Sequence, residues 1–171
     1  VVYVDLPEDY ARAIDKMKEV YQEHASWLKE KNVRFNNSKT RLLQLQASLS
    51  KKVNGNPALY PILSRIALLI KLDYLIQTAQ TQGSEQALAY YNGLSQDGTK
   101  AGARILLDDR VKQAVDVIKG LPEHPKISAL LDLMKEQEYE KAIIFANYRD
   151  SARLLEFMLR EQGFECKRFI G

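Results

Sequence analysis

The stretch "ALYPILSRIALLIKLDYLI" constrains this chain more than any other. Drawn as a helix opening at Pro57 and stopped by Gly83, it carries Leu59, Ile62, Leu63, Ile66, Leu69, Ile70 and Ile76 over more than half its circumference. A helix apolar nearly all round needs neighbours on several sides, which places it at the centre of a bundle. A bilayer span is the competing reading for so apolar a run. Arg65, Lys71 and Asp73 interrupt it, and hydrocarbon tolerates such residues poorly.

The flanking sequence supplies the neighbours. Pro7, Glu8 and Asp9 open a helix with proline and acids in its first turn. Ile14, Met17, Tyr21 and Leu28 then fall on one face, and the helix runs to about Lys31. "NVRFNNSK" is a polar break, with Asn37 or Ser38 as N-cap of the next helix. That helix is striped by Leu42, Leu45, Leu49 and Val53 and ended by Asn54-Gly55-Asn56. Ser84 caps a short helix, "SEQALAYYNGL". "SQDGTKAGAR" reads as the most loop-like segment of the chain, and "LDDRVKQAVDVIKGL" makes one more helix, with Val111, Val115 and Ile118 inward.

After Pro122 the pattern changes. "HPKISALLDLMKEQ" is a compact amphipathic helix with Pro125 in its first turn. The apolar run "KAIIFA", a helix from Asp150 to about Gln162 stopped by Gly163, and a second run "ECKRFI" follow. Helix–strand–helix–strand at this spacing is the alternation of a parallel sheet. The expected architecture is therefore mainly α with a small α/β part. A strand at 1–6 precedes a helical bundle over 7–122, and an incomplete parallel-sheet lobe begins at 123 and runs to 171. Three strands are too few for a doubly wound sheet, and the chain opens on a strand pattern without Met, so a piece of a longer protein is expected. Exposed strand edges would favour self-association.

Several chemistries are excluded by what is missing. The sequence has no G-x-x-x-x-G-K-[ST] phosphate loop, no H-E-x-x-H, no C-x-x-C and no G-x-S-x-G. Its single cysteine, Cys166, allows no internal disulfide and no cysteine-based metal site. His24 and His124 lie far apart in sequence, and His24 reads as a structural histidine beside the apolar stripe of the first helix. Catalysis by this chain alone is not expected. Lys and Arg number 25 against 22 Asp and Glu, a net charge of +3 that permits a nucleic-acid partner without demanding one. No leader precedes the first helix, and a cytoplasmic location is expected.

Two groups of residues could touch a phosphate backbone. In "KAIIFANYRDSA" an apolar run breaks into Asn147, Tyr148, Arg149 and Ser151 at a helix start. Such a turn offers unpaired N–H groups and a dipole at the edge where open α/β folds bind ligands. Arg149 adds a bidentate donor, and Asn147 and Ser151 add neutral ones. The plainer reading makes Asp150 or Ser151 a helix cap and Arg149 a solvated cation. The second group is basic: Lys39 and Arg41, Lys51 and Lys52, and Lys100 and Arg104, bracketing the apolar stripes. These could follow a duplex backbone or form an ordinary solvated face.

The segment "HPKISALLDLMKEQEYEKAIIFANYRDSARLLEFMLREQGFECKRFIG" resembles the opening of the second RecA-like lobe of superfamily-2 helicases, and more narrowly the archaeal Hef and Fanconi-anaemia M type. In that family a His-Pro-Lys helix start precedes a strand ending Phe-x-Asn-Tyr-Arg, the motif IV region, and an Arg-Phe-x-Gly segment follows. "VVYVDLPEDY" is similar to the segment leaving the first lobe. "LDYLIQTAQTQGSEQALAYY" and "GTKAGARILLDDRVKQAV" resemble the helical insert between the lobes. The resemblance implies a thumb-like insert contacting forked or branched DNA, beside a lobe whose motif IV block holds Asn147, Tyr148 and Arg149, with Ser151 following at the helix start.

The resemblance also implies ATP and magnesium in the whole helicase but no cofactor in this stretch, with the remaining helicase lobes of the same chain as partners. A nucleoid location would follow for an archaeal protein and a nuclear one for a eukaryotic protein. Helicases acting on double-stranded RNA carry a similar insert, so an RNA duplex is the alternative substrate. A structural spacer between motor lobes is the alternative without nucleic acid.

Overall fold

The structure, a computed structural model, describes residues 3–35, 38–121, 125–137, 139–146 and 149–169. Among them are eight α-helices: α1 Glu8–Glu30, α2 Lys39–Ser50, α3 Tyr60–Thr81, α4 Ser84–Gly93, α5 Lys100–Leu107, α6 Asp109–Lys119, α7 Pro125–Glu136 and α8 Arg149–Glu161. No helix among the described residues is long and apolar enough to cross a membrane. Contacts divide the chain into a helical unit, Glu8–Pro122, and a second unit built from Val1–Pro7 together with Glu123–Gly171.

α3 is the centre of the helical unit, packing on α1, α2, α4 and α5. Ile66, Leu68, Leu69, Leu72, Leu75, Ile76 and Ala79 along it are buried. α1 answers with Tyr10, Ala13, Ile14, Met17, Val20, Tyr21, Ala25 and Leu28, an unbroken face at intervals of three and four. The two helices run antiparallel. The Tyr10 hydroxyl at the start of α1 donates to the Ala79 carbonyl at the end of α3, at 2.8 Å. His24, late in α1, meets Arg65, early in α3. α6 lies against the other side of α1 through Val111, Ala114, Val115 and Ile118.

Asn32 ends α1 in the left-handed region, at φ 58°. Its N–H donates to the Lys29 carbonyl and that of Val33 to the Leu28 carbonyl. This paired closure satisfies two carbonyls left over at a helix end. Gly163, at φ 87°, closes α8 with the same two bonds, to Arg160 and from Phe164 to Leu159. Ser38 sits in extended backbone at the N-cap of α2, without a capping bond from its side chain. Asn37 lies outside the described residues.

"SQDGTKAGAR" is not a loop throughout: α5 begins at Lys100. The glycines suggested a loop, yet Gly102 lies inside the helix for a packing reason. A Cβ there would come within 2.7 and 2.8 Å of the two Asp97 carboxylate oxygens and 3.0 Å of the Leu94 carbonyl. Asp97 itself is fixed. Lys71 Nζ lies 2.8 Å from its Oδ2, while the Thr99 N–H and hydroxyl donate to Oδ1 at 2.7 and 2.8 Å. Thr99 in turn accepts the Gly102 N–H, capping α5.

In the second unit Leu131 and Leu159 are the buried apolar side chains among the described residues. Within it, Glu156 takes ion pairs from both Arg160 and Arg168. The runs expected as strands are non-helical here, but the described residues carry no strand ladder over 3–6, 141–146 or 164–169. A strand exists through its partner's N–H and C=O groups. Ile143 and Phe145, at 82% and 92% exposure, have no layer covering them. The expected parallel sheet is thus absent as pairing among the described residues, while the mainly helical architecture and the bundle are present.

Gly102→Ala should destabilise the helical unit by about 1–3 kcal/mol, although alanine favours a helix over glycine by about 1 kcal/mol. Urea unfolding followed by far-UV circular dichroism measures it. An unchanged or raised midpoint would show that the Asp97 carboxylate moves aside freely.

Candidate nucleic-acid interface

The three basic groups of the helical unit are not one patch. Lys39 and Arg41 lie in the first turn of α2 and Lys51 and Lys52 beyond its last, so about 18 Å of helix separates them at 1.5 Å per residue. Lys39 is half-buried, its Nζ 4.9 Å from the centre of the Tyr74 ring on α3. Tyr74 is itself packed on Tyr90, with centroids 4.5 Å apart. Arg41 reaches Gln44 at 3.4 Å. Lys51 and Lys52 are exposed, as are Lys100 and Arg104. The last two are four residues apart on α5 and share a face.

Arg104 leads to a cluster that the sequence did not announce. α5 and α1 both pack on α3, and this brings Arg104 into electrostatic reach of Arg65 and His24. The Arg65 guanidinium contacts His24 Nδ1, and its carbon lies 4.6 Å from the centre of the Trp27 ring. Lys31 Nζ is 5.7 Å from the same ring. A guanidinium only donates, so Nδ1 must accept and the imidazole is neutral in this arrangement. Burial and then the Arg65 charge hold the His24 pKa below its ordinary value. Burial and then Arg104 likewise lower that of Arg65.

The carboxylates nearby are already engaged. Arg110 pairs with Glu23 at 2.8 Å and with Asp108 at 2.9 Å. Asp108 also caps α6 by accepting the Arg110 and Val111 N–H groups. Among the described residues, Arg65 and Arg104 have no carboxylate at ion-pair distance. His24 therefore keeps the structural role read for it, as the acceptor that fixes Arg65. Arg65 had stood out only as a charge interrupting an apolar helix. That misfit, with the chain's one tryptophan on the neighbouring helix, was the available signal.

In the second unit Arg149 is the first residue of α8 and is exposed; Ser151 is half-buried one turn in. The helix thus starts before Asp150 and Ser151, so neither is its N-cap. Asn147 and Tyr148 lie outside the described residues. No group of three His, Cys, Asp or Glu residues that could hold a metal occurs among the described residues.

A central apolar helix wrapped by an antiparallel partner, and followed by a short α-rich unit, is the arrangement found in a helicase. The chain matches the crystal structure of the Pyrococcus furiosus Hef helicase domain with a TM-score of 0.86 and 29% identity, over 99% of this chain and 39% of that one. It is 30% identical over 179 residues to MJ1505 of Methanocaldococcus jannaschii, whose name calls it an ATP-dependent RNA helicase. That match covers 99% of this chain and 23% of the relative. A shorter match, 41% over 61 residues, joins a third of the chain to 5% of the DNA repair protein RAD5B of Arabidopsis thaliana. No family model matches.

In fold and sequence the chain is a superfamily-2 helicase-related region. Within that class it is of the Hef type, and it spans about a quarter of the curated relative's length.

The neutral His24 has a thermodynamic consequence. An imidazole whose folded pKa lies below its unfolded value, about 6.5, leaves stability intact above that pH and subtracts from it as pH falls through the window beneath. The helical unit should lose stability on acidification from pH 7 to 5.5, and His24→Gln should flatten the loss. Thermal melts at both values measure this, with the imidazole signal by NMR titrating below 6.5. A midpoint at or above 6.5 would contradict the contact with Arg65.

Proposed function

We propose that Glu8–Pro122 is the thumb-like helical insert of an ATP-driven helicase or translocase acting on forked or branched DNA in repair. Residues 123–171 are the start of its second RecA-like lobe. The observation that carries this reading is the likeness to the Hef helicase domain over nearly the whole chain. In this reading the exposed Lys51, Lys52, Lys100 and Arg104 meet the duplex backbone. Arg149 at the first turn of α8 approaches one strand, with Asn147, Tyr148 and Ser151 around it.

Ile143 and Phe145 belong to a strand that further strands of the whole lobe cover. The chain has no phosphate loop, so its residues do not by themselves fit ATP or its magnesium. The nucleotide is held by other parts of the helicase in this reading, and no step is routed through it. A relative named as an RNA helicase favours a second reading, in which an RNA duplex takes the place of DNA.

Fluorescence anisotropy of the chain without ATP against a DNA fork, a DNA duplex and an RNA duplex separates these. The expected result is preference for the fork, with log affinity falling against log salt at about −0.9 per phosphate contacted. Preference for the RNA duplex would assign the second reading. Charge reversal at Lys51 and Lys52, or at Lys100 and Arg104, should weaken fork binding. Wild-type affinity in both double variants would leave the helical unit as a spacer.

A further inference from the structure

Trp27 of α1, Arg65 of α3 and Arg104 of α5 are brought to one place by helix packing, with His24 between the arginines and the body of α1. Six charged groups face His24 and Trp27. The cations are Arg65, Arg104, Lys31 beyond the indole, and Arg110 of α6. The carboxylates are Glu23 of α1 and Asp108 at the α5–α6 junction, both bonded to Arg110. Four cations against two carboxylates leave two positive charges uncompensated. Arg65 is also held still, its guanidinium fixed by an acceptor nitrogen on one side and an aromatic face on the other. A pre-oriented guanidinium loses less freedom on forming a bidentate bond to phosphate than a solvated one.

We propose that Arg65 and Arg104 seat one backbone phosphate of the bound nucleic acid on the face where α1, α3 and α5 meet, and that His24 takes up a proton as the seat fills. The site rests on the nucleic-acid reading above and adds residues that reading did not contain. In the empty seat a protonated His24 would face two arginines, which is why its proton is held weakly. An anion between the arginines reverses the sign of the local field. A group whose pKa rises on binding makes binding tighter as pH falls, so acidification should strengthen it. Arg104 is the direct contact at the rim; His24 and Trp27 are positioning residues that hold Arg65.

Trp27 is the chain's one tryptophan, so its fluorescence reports the seat without a label. Two titrations of the 171-residue chain, at pH 7.5 and pH 5.5, test the proposal. One uses inorganic phosphate and reads Trp27 emission; the other uses a short DNA duplex and reads both emission and anisotropy.

Both ligands should change the emission, with duplex affinity several-fold higher at pH 5.5. His24→Gln should remove most of that pH effect, whereas His124→Gln should leave it. Arg104→Ala, at an exposed position, should weaken the duplex roughly tenfold. Arg65→Lys keeps the charge but loses the planar fork, and should also weaken it.

If the duplex binds but Trp27 is silent and Arg104→Ala binds like the wild type, the seat is overturned while the nucleic-acid reading stands. If phosphate alters Trp27 and no duplex or fork binds, the seat stands and that reading fails. Silence toward both ligands overturns the two together.

Discussion

The burial of α3 on four sides is the constraint on which the helical unit depends. Ile66, Leu69, Leu72 and Leu75 are fully withdrawn from water, each surrounded by side chains of neighbouring helices. An isolated helix of this composition would leave large apolar area in water at about 25 cal/mol for each Å². The bundle exists to cover it, and the antiparallel placement of α1 follows. Tyr10 at one end and His24 at the other mark the register that places α1 along α3.

That register has an electrostatic consequence. Arg65 interrupts the apolar surface of α3 at a point where burial would be costly for an unpartnered cation. The structure meets the cost with an imidazole nitrogen and an indole face rather than with a carboxylate. A carboxylate would have neutralised the arginine and left nothing for an anion to find. The neighbouring acids are instead drawn to Arg110, where they cap α6 and tie it to α1. Lys71 and Asp97 form a contrasting latch, in which charge is fully spent on shaping the turn into α5.

Much of this was legible in one dimension. The all-round apolar character of α3, the one-sided stripe of α1 and the stop at Gly163 are each written in spacing or in residue type. These signals are local, because the periodicity of a helix and the φ of a glycine do not depend on the rest of the chain. α5 was misread for a related reason. Gly102 looks like a loop residue unless the Asp97 carboxylate beside it is known. The strand patterns at 141–146 and 164–169 are equally clear in sequence. A ladder needs partners that pattern alone does not provide.

The sequence by itself determined which segments are helical, that one helix must lie at the centre, and that no phosphate loop is present. Tertiary structure alone decided which charges meet. His24 and Arg65 are 41 residues apart, and Arg104 is farther still along the chain. Their encounter follows from helices packing in one register, a long-range choice fixed by the summed burial of many apolar side chains. Coulomb interactions depend on separation in space, so a basic residue that reads as solvated in sequence can become half of an anion seat once α1, α3 and α5 are assembled.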